Sequence, residues 1–364
     1  MAAIVDPSAD AAPAEDAAAA RADKLKSLMD RSKQRDEDKK TLQNKLMMKL
    51  YLEGLKAKTR KKAAAEAEKA AAATAAPERA AAAAAAEPVA AEPVAAEPVA
   101  AAAVAAADLA HAIGGDAPAT ARACAASLRS HGCALLASGA AIPPATIAAC
   151  RRAADAALAD TLRELEARGI DASGVKTKEI VQRNAGRYDL VRGVEGAEPF
   201  GALGRGGPWM PTVKRTLGVA CALLKTGVVY ALPGAALQSI HADGKHLYDG
   251  DGDVADDAHL PAHCVTVFVP LLDLSPELGP TEYFPGTHRR DGDRARYERA
   301  HAGREAGVAF AGAKAGDAIL FDYRVLHRGL ANTSTEARPL LYFTYGRPWF
   351  TDATNYSALS IFDE

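Results

Sequence analysis

Aromatic side chains are confined to the last half of this 364-residue chain. After Tyr51 the next is Tyr188, so 19 of the 20 Phe, Trp and Tyr residues lie between Tyr188 and Phe362. Bulky side chains supply most of the area a domain removes from water, at about 25 cal/mol per Å². The core therefore has to form in the C-terminal half. A hydrophobic fraction of 49% does not contradict this, because 87 of the residues are alanine. Length alone allows two domains of roughly 100 to 200 residues each. The aromatic skew argues instead for one folded domain behind a long region that packs poorly.

That leading region divides by composition. Residues 1 to about 20 are Ala, Pro and acidic, with nothing to bury, and are expected to be disordered. From about 22 to 76 the chain is rich in Lys, Arg, Glu, Leu and Ala and has no proline, which predicts a charged helix. Leu42, Leu46 and Leu50, with Met47, Tyr51 and Leu55, form a narrow apolar stripe on it. Between residues 21 and 69 there are 16 basic and 8 acidic residues, against a formal net charge of -2 for the whole chain. Such a helix is either solvated or docks on a protein partner. The near-neutral total points away from nucleic acid. Ala-Ala-Glu-Pro-Val then repeats three times from Ala85 to Val99, and its regular prolines predict a semi-extended linker over residues 77–107. A folded domain is expected over 108–364.

Five widely spaced cysteines without a C-x-x-C pair suit a reducing compartment rather than a disulfide framework. No run of bulky apolar residues reaches the length of a membrane span. These features together predict an intracellular, cytoplasmic protein, with an organelle left open.

Within the folded part, Ala117 to Arg129 reads as a helix, Pro143-Pro144 opens a second running to about Arg168, and a short strand from His131 lies between them. From Val228 onward, short β-rich runs alternate with Gly, Pro and Asp: residues 228–231, 236–241, 265–272, 282–284, 308–310, 318–321, 325–327 and 340–345. The expected class is mainly β with flanking helices, a sandwich or jelly roll whose mouth can hold a metal and a ligand.

The sharpest chemical feature is His241-Ala242-Asp243 at the end of one such run. On a strand, residues i and i+2 share a face, so the imidazole and carboxylate can reach one metal ion. A second histidine would complete the two-histidine, one-carboxylate set that suits non-haem Fe(II) and leaves positions open. His327, 86 residues on, is the candidate.

Four segments then occur in order: Leu237-Gln-Ser-Ile-His-Ala-Asp243, Glu277-Leu-Gly-Pro-Thr-Glu-Tyr-Phe-Pro-Gly-Thr-His288, Gly316-Asp-Ala-Ile-Leu-Phe-Asp322, and His327-Arg-Gly-Leu-Ala-Asn-Thr-Ser334 followed by Arg338-Pro-Leu-Leu-Tyr342. In these the chain resembles the phytanoyl-CoA dioxygenase family of Fe(II)- and 2-oxoglutarate-dependent oxygenases, over roughly His131 to Pro348. The resemblance implies a double-stranded β-helix, the cupin-like jelly roll. It implies that His241, Asp243 and His327 hold the iron and that Arg338 binds the distal carboxylate of 2-oxoglutarate. A guanidinium fork suits that role, since a buried carboxylate needs a bidentate cation.

The implied reaction consumes 2-oxoglutarate and O2, with ascorbate as a reductant for the iron, and hydroxylates a small organic substrate while succinate and CO2 leave. Halogenating relatives replace the metal-binding carboxylate with a small residue, so Asp243 favours hydroxylation, or desaturation as a variant. The competing reading is a non-catalytic jelly-roll relative that recruits partners through the basic N-terminal helix.

Other assignments rest on position. Gln238, Thr266 and Tyr230 are candidates for the cosubstrate pocket, although Gln238, three residues before His241, faces away on an ideal strand. Arg183, Arg187, Tyr188 and Lys245 are substrate candidates, and an ion-paired loop around 182–190 is the plainer alternative. Asn332 and Ser334 are expected to bond the turn before Arg338, and His288 to be structural. Asp249, Asp251 and Asp253 look like a calcium loop, but Val254 and Leu260 stand where glycine and glutamate are needed. That acidic run reads as a loop near the iron.

Overall fold

Period-two alternation decides which side chains face which layer of this protein. The computed structural model describes residues 105–113, 117–137, 141–246, 260–289, 299–303, 305–353 and 355–362. The disorder, charged helix and nearly all of the linker expected before residue 105 lie outside the described residues, as does the acidic run at 249–257.

The chain enters through a short strand β1 (Ala110–Ala112), helix α1 (Ala117–His131), β2 (Cys133–Ala137) and helix α2 (Pro144–Ala167). Proline in the first turn of α2 lacks only an N–H that the helix leaves unused there. Ile147, Cys150, Ala154, Leu158, Leu162 and Leu165 recur at three- and four-residue spacing and are all buried, so α2 lays one apolar face on the sheet. The chain continues through β3 (Ile180–Asn184), β4 (Arg187–Leu190), α3 (Phe200–Gly206), α4 (Met210–Leu217), β5 (Ala222–Ala231), β6 (Cys264–Pro270), β7 (Thr281–Tyr283), β8 (Val308–Ala309), β9 (Ala318–Asp322), β10 (His327–Gly329) and β11 (Arg338–Gly346).

The main sheet has the order β1-β2-β9-β6-β11-β5-β4-β3, and a small sheet the order β10-β7-β8. The architecture is mainly β with helices on one side, in keeping with the expected jelly roll. Val265, Val267, Val269, Leu341, Phe343 and Tyr345 pack with Leu158, Leu162 and Trp209 in the helix-side core. Trp209 stacks on Phe343 at 5.2 Å and donates its indole N–H to the Tyr345 hydroxyl at 2.9 Å. The alternate residues Phe268, Phe321, Leu340 and Tyr342 join Tyr283 in a second cluster on the other face. Burying a large apolar side chain contributes roughly 1.5–3 kcal/mol, and both faces of β6, β9 and β11 are buried throughout.

Three of the departures from the sequence expectations bear on the site. Residues 236–241 form no strand; only His241 bridges to His327. The segment around 182–190 is no loop, but a hairpin that adds β3 and β4 to the edge of the main sheet. Helices α3 and α4 lie where no helix was expected.

Candidate metal centre and cosubstrate pocket

The metal-binding candidates are brought together by one backbone contact. His241 and His327 exchange main-chain hydrogen bonds in both directions, His241 N–H to His327 O at 3.0 Å and His327 N–H to His241 O at 2.8 Å. This places their rings 4.5 Å apart between centroids. Asp243 follows two residues later, its Oδ1 3.6 Å from His327 Nε2. One donor atom from each of His241, Asp243 and His327 lies within 4.8 Å of the others.

The tautomers are set locally. His241 Nδ1 lies 2.8 Å from Ser239 O, and His327 Nδ1 lies 3.1 Å from Val325 O. A carbonyl can only accept, so each Nδ1 carries the proton and each Nε2 keeps a lone pair for a metal. Burial pulls the His327 imidazole down to about 4, against an opposing pull from Asp243, so it is neutral and ready to ligate at ordinary pH. Its ring is held between Phe321 at 5.0 Å and Tyr283 at 5.9 Å.

These three residues open onto a cavity of about 380 Å³. Its lining also includes Arg338 and Arg187, each 1% exposed. Arg338 Nη1 donates to Gly279 O at 2.6 Å, and Arg187 Nη2 donates to Leu330 O at 2.9 Å. No carboxylate pairs with either among the described residues. Nε of Arg338 and both Nε and Nη1 of Arg187 are buried without a hydrogen-bond partner. Burial brings Arg187 down to about 10, and burial followed by the neighbouring Arg187 lowers Arg338. Two guanidinium groups sharing a low-dielectric wall repel, and unmade hydrogen bonds add to the cost. An anion with two or more acceptor oxygens relieves both.

The remaining candidates divide by strand face. Thr266 lines the cavity, its hydroxyl 3.3 Å from that of Thr344. Gln238 also lines it, but its Oε1 accepts the Gly329 N–H at 2.9 Å while its own N–H donates to Gly329 O at 3.0 Å. It clamps the irregular segment before His241 onto β10. Tyr230 is corrected: Val229 takes the cavity side, and the Tyr230 hydroxyl points to the helix layer, where it donates to Asp155 at 2.8 Å. Tyr188 is corrected for the same reason. It pairs with Tyr230, packs in the helix-side core and meets Gln182 at 3.1 Å. Lys245 is exposed and outside the cavity lining. Arg183 lines the cavity, yet its guanidinium is engaged by Asp189 at 2.7 Å and Asn355 O at 3.0 Å.

Sequence reasoning missed several lining residues. Tyr342 and Thr344 share the β11 face of Arg338, which its period-two spacing could have shown. Asp189 lies on the Arg187 face of β4 and accepts from the Tyr342 hydroxyl at 2.9 Å. Asn355 and Tyr356 arrive from the C-terminal segment, and no local pattern announces them. Outside the cavity, Asn332 Nδ2 donates to Ala231 O and Glu336 O at 2.9 and 2.8 Å and Ser334 N–H donates to Asn332 Oδ1 at 3.0 Å, bracing the turn before Arg338. His288 lies 3.2 Å from Arg129 O, away from the metal donors.

The family model for phytanoyl-CoA dioxygenase (PhyH) matches residues 128–340, a span that contains all three metal donors and both buried arginines. The chain belongs to the phytanoyl-CoA dioxygenase family. It is thus an iron- and 2-oxoglutarate-dependent dioxygenase. Fe(II) and 2-oxoglutarate fit the residues present: the His-Asp-His donor set suits a metal, and two buried guanidinium groups with no carboxylate partner among the described residues suit a dicarboxylate.

Solved structures resembling the fold include EctD from S. alaskensis with 2-oxoglutarate and 5-hydroxyectoine, at 21% identity and TM-score 0.47 over 66% of this chain and 80% of that one. HygX from Streptomyces hygroscopicus with nickel and 2-oxoglutarate matches at 19% and 0.44, over 62% and 86%. The carbocyclase SnoK from nogalamycin biosynthesis matches at 18% and 0.44, over 63% and 87%. No helix among the described residues is long and apolar enough to cross a membrane.

Proposed function

We propose that this family member hydroxylates a C–H bond of a small organic molecule, and that residues 108–364 form its catalytic domain. One observation supports the reading: three metal donors and two buried, carboxylate-free arginines face the same cavity of about 380 Å³.

In this reading His241 Nε2, His327 Nε2 and an Asp243 oxygen hold the iron, and Arg338 with Arg187 holds the distal carboxylate of 2-oxoglutarate. Bound there, Fe(II) with 2-oxoglutarate and O2 would supply the oxidising power, with succinate and CO2 as co-products and ascorbate as the reductant that keeps the iron ferrous. The residues of the chain bind, orient and exclude water. Phe321 and Tyr283 fix the plane of His327. Thr266 and Thr344 offer hydroxyls along the wall, and Val229, Phe268 and Leu340 keep part of it apolar. Because Arg183 is neutralised by Asp189, the substrate side carries little net positive charge, which suits a neutral polar substrate better than a polyanion. A carboxylate in the donor set leaves no ligand position vacated for halide, which argues against halogenation and favours hydroxylation, with desaturation as its variant.

Purified protein with Fe(II), ascorbate and 2-oxoglutarate should release succinate, and an accepted substrate should gain one oxygen atom by mass spectrometry. Asp243→Ala should abolish both. If the wild-type chain binds neither metal nor 2-oxoglutarate, the reading is wrong.

A further inference from the structure

We propose that Asn355, in the C-terminal segment, is a positioning residue of the metal centre. Asp243 does not sit on a sheet strand; it lies in the bend after the His241 bridge. Gly244 N–H donates to Tyr323 O at 2.8 Å on one side of it. On the other, Asn355 Nδ2 donates to the Asp243 carbonyl at 2.7 Å, from 112 residues away in sequence.

The Asn355 amide is itself fixed. Nδ2 also reaches Asp352 Oδ2 at 2.9 Å and the Tyr323 hydroxyl at 3.1 Å, and the Asn355 main-chain N–H donates to Asp352 Oδ1 at 3.1 Å. Carbonyl and carboxylate oxygens only accept, so the NH2 group must face Asp243 and Asp352, and the amide cannot flip without losing both bonds. The Asn355 carbonyl in turn accepts from Arg183 Nη2 at 3.0 Å. One side chain and its backbone thus tie together the loop carrying the proposed iron ligand, the end of β9 and the β3–β4 hairpin. The far end of the segment is anchored separately, by Glu179 accepting from Ser360 Oγ at 2.6 Å and Ile361 N–H at 3.0 Å.

Without Nδ2 the Asp243 carbonyl turns to water and the carboxylate loses its aim. Groups that orient metal ligands typically change affinity 10- to 100-fold when removed. The inference rests on the metal-centre reading, and the test separates the two. Mn(II) is titrated into the metal-free full chain, with free ion followed by its electron paramagnetic resonance signal, and metal-free melting temperatures are recorded. Asn355→Ala is expected to weaken Mn(II) roughly 10-fold or more, while Ser360→Ala, which loosens the far anchor, leaves the affinity unchanged. Should Asn355→Ala fail to fold, Asn355→Leu fills the space without donors and is read in the same way. An affinity within twofold of wild type, or an equal loss in Ser360→Ala, overturns the role of Asn355 and leaves the metal centre standing. Failure of the wild-type chain to bind Mn(II) overturns both.

Discussion

Arg187 and Arg338 stand in one row of the main sheet on either side of Ala231, with which both are in register. Two strand spacings, about 10 Å, separate their backbones, and both side chains run into the same cavity wall. The pair is unfavourable on its own and complementary to a carboxylate.

Arg338→Met and Arg187→Met should each weaken 2-oxoglutarate binding. Removing one partner of a buried charge pair costs about 2 to 5 kcal/mol, hence ~30-fold or more in Kd, measurable by calorimetry with Mn(II) in place of iron. Arg338→Lys should not restore the affinity, because an ammonium cannot reproduce the planar fork. Wild-type affinity in Arg338→Met would show that the dicarboxylate lies elsewhere.

His327 makes the metal-free fold sensitive to acid. Its folded value of about 4 lies below the ordinary 6.5, so between those pH values the unfolded chain takes up a proton that the folded chain refuses. Stability therefore falls as pH drops from about 6.5 to about 4, by up to ~3 kcal/mol for this group. His327→Leu should flatten that part of the curve of denaturant midpoint against pH. An unchanged slope would mean that the imidazole is not the group responsible.

Much of this was legible in the letters, and the failures have physical causes. The β-branched and aromatic runs of β6, β9 and β11 announce strands buried on both faces. For β11, proline at the second position masks the strand's first residues, and the run reads as starting at Leu340 when pairing begins at Arg338. In β4, Arg-Tyr-Asp-Leu is polar and apolar by turns. Period two allows Arg187 or Tyr188 into the cavity but not both, and likewise Val229 or Tyr230. Arg187 and Tyr188 therefore cannot both face the substrate, and at the second pair it is Val229, not the candidate Tyr230, that lines the cavity. Gln238 is the reverse case: its segment is not a strand, so strand parity had no bearing on it. Asn355 and Tyr356 reach the cavity by tertiary packing more than 100 residues beyond the hairpin they meet, and no local pattern encodes such an arrival.

Gly329 should not tolerate a methyl group, although alanine ordinarily suits a strand better than glycine. A Cβ there would lie 2.5 Å from Gln238 Oε1 and 2.6 Å from Arg187 Cζ. Gly329→Ala must displace the clamp, the arginine or both. Overpacking of this kind costs about 1–3 kcal/mol, so a lower melting temperature is expected together with weaker 2-oxoglutarate binding. Adding Gln238→Ala should recover part of the cosubstrate affinity if the arginine was displaced through the clamp. Full affinity in Gly329→Ala alone would show that Arg187 is free to shift without consequence for the pocket.

Asp322 and Arg324 form a buried ion pair that supports stability rather than chemistry. Arg324 Nε and Nη2 contact the two carboxylate oxygens at 3.0 and 2.9 Å, and the Arg324 N–H donates to Asp322 Oδ1 at 3.0 Å. Burial favours the neutral acid, yet Arg324 outweighs it and holds the Asp322 carboxyl below its usual range. Arg324→Met strands that charge, which costs about 3–5 kcal/mol. The double variant Asp322→Asn, Arg324→Met leaves no buried charge and should melt closer to wild type than Arg324→Met alone. If the double variant is no more stable than the single one, the guanidinium serves mainly through packing and its bond to Leu260 O at 3.2 Å, and charge compensation is not what holds this corner of the sheet.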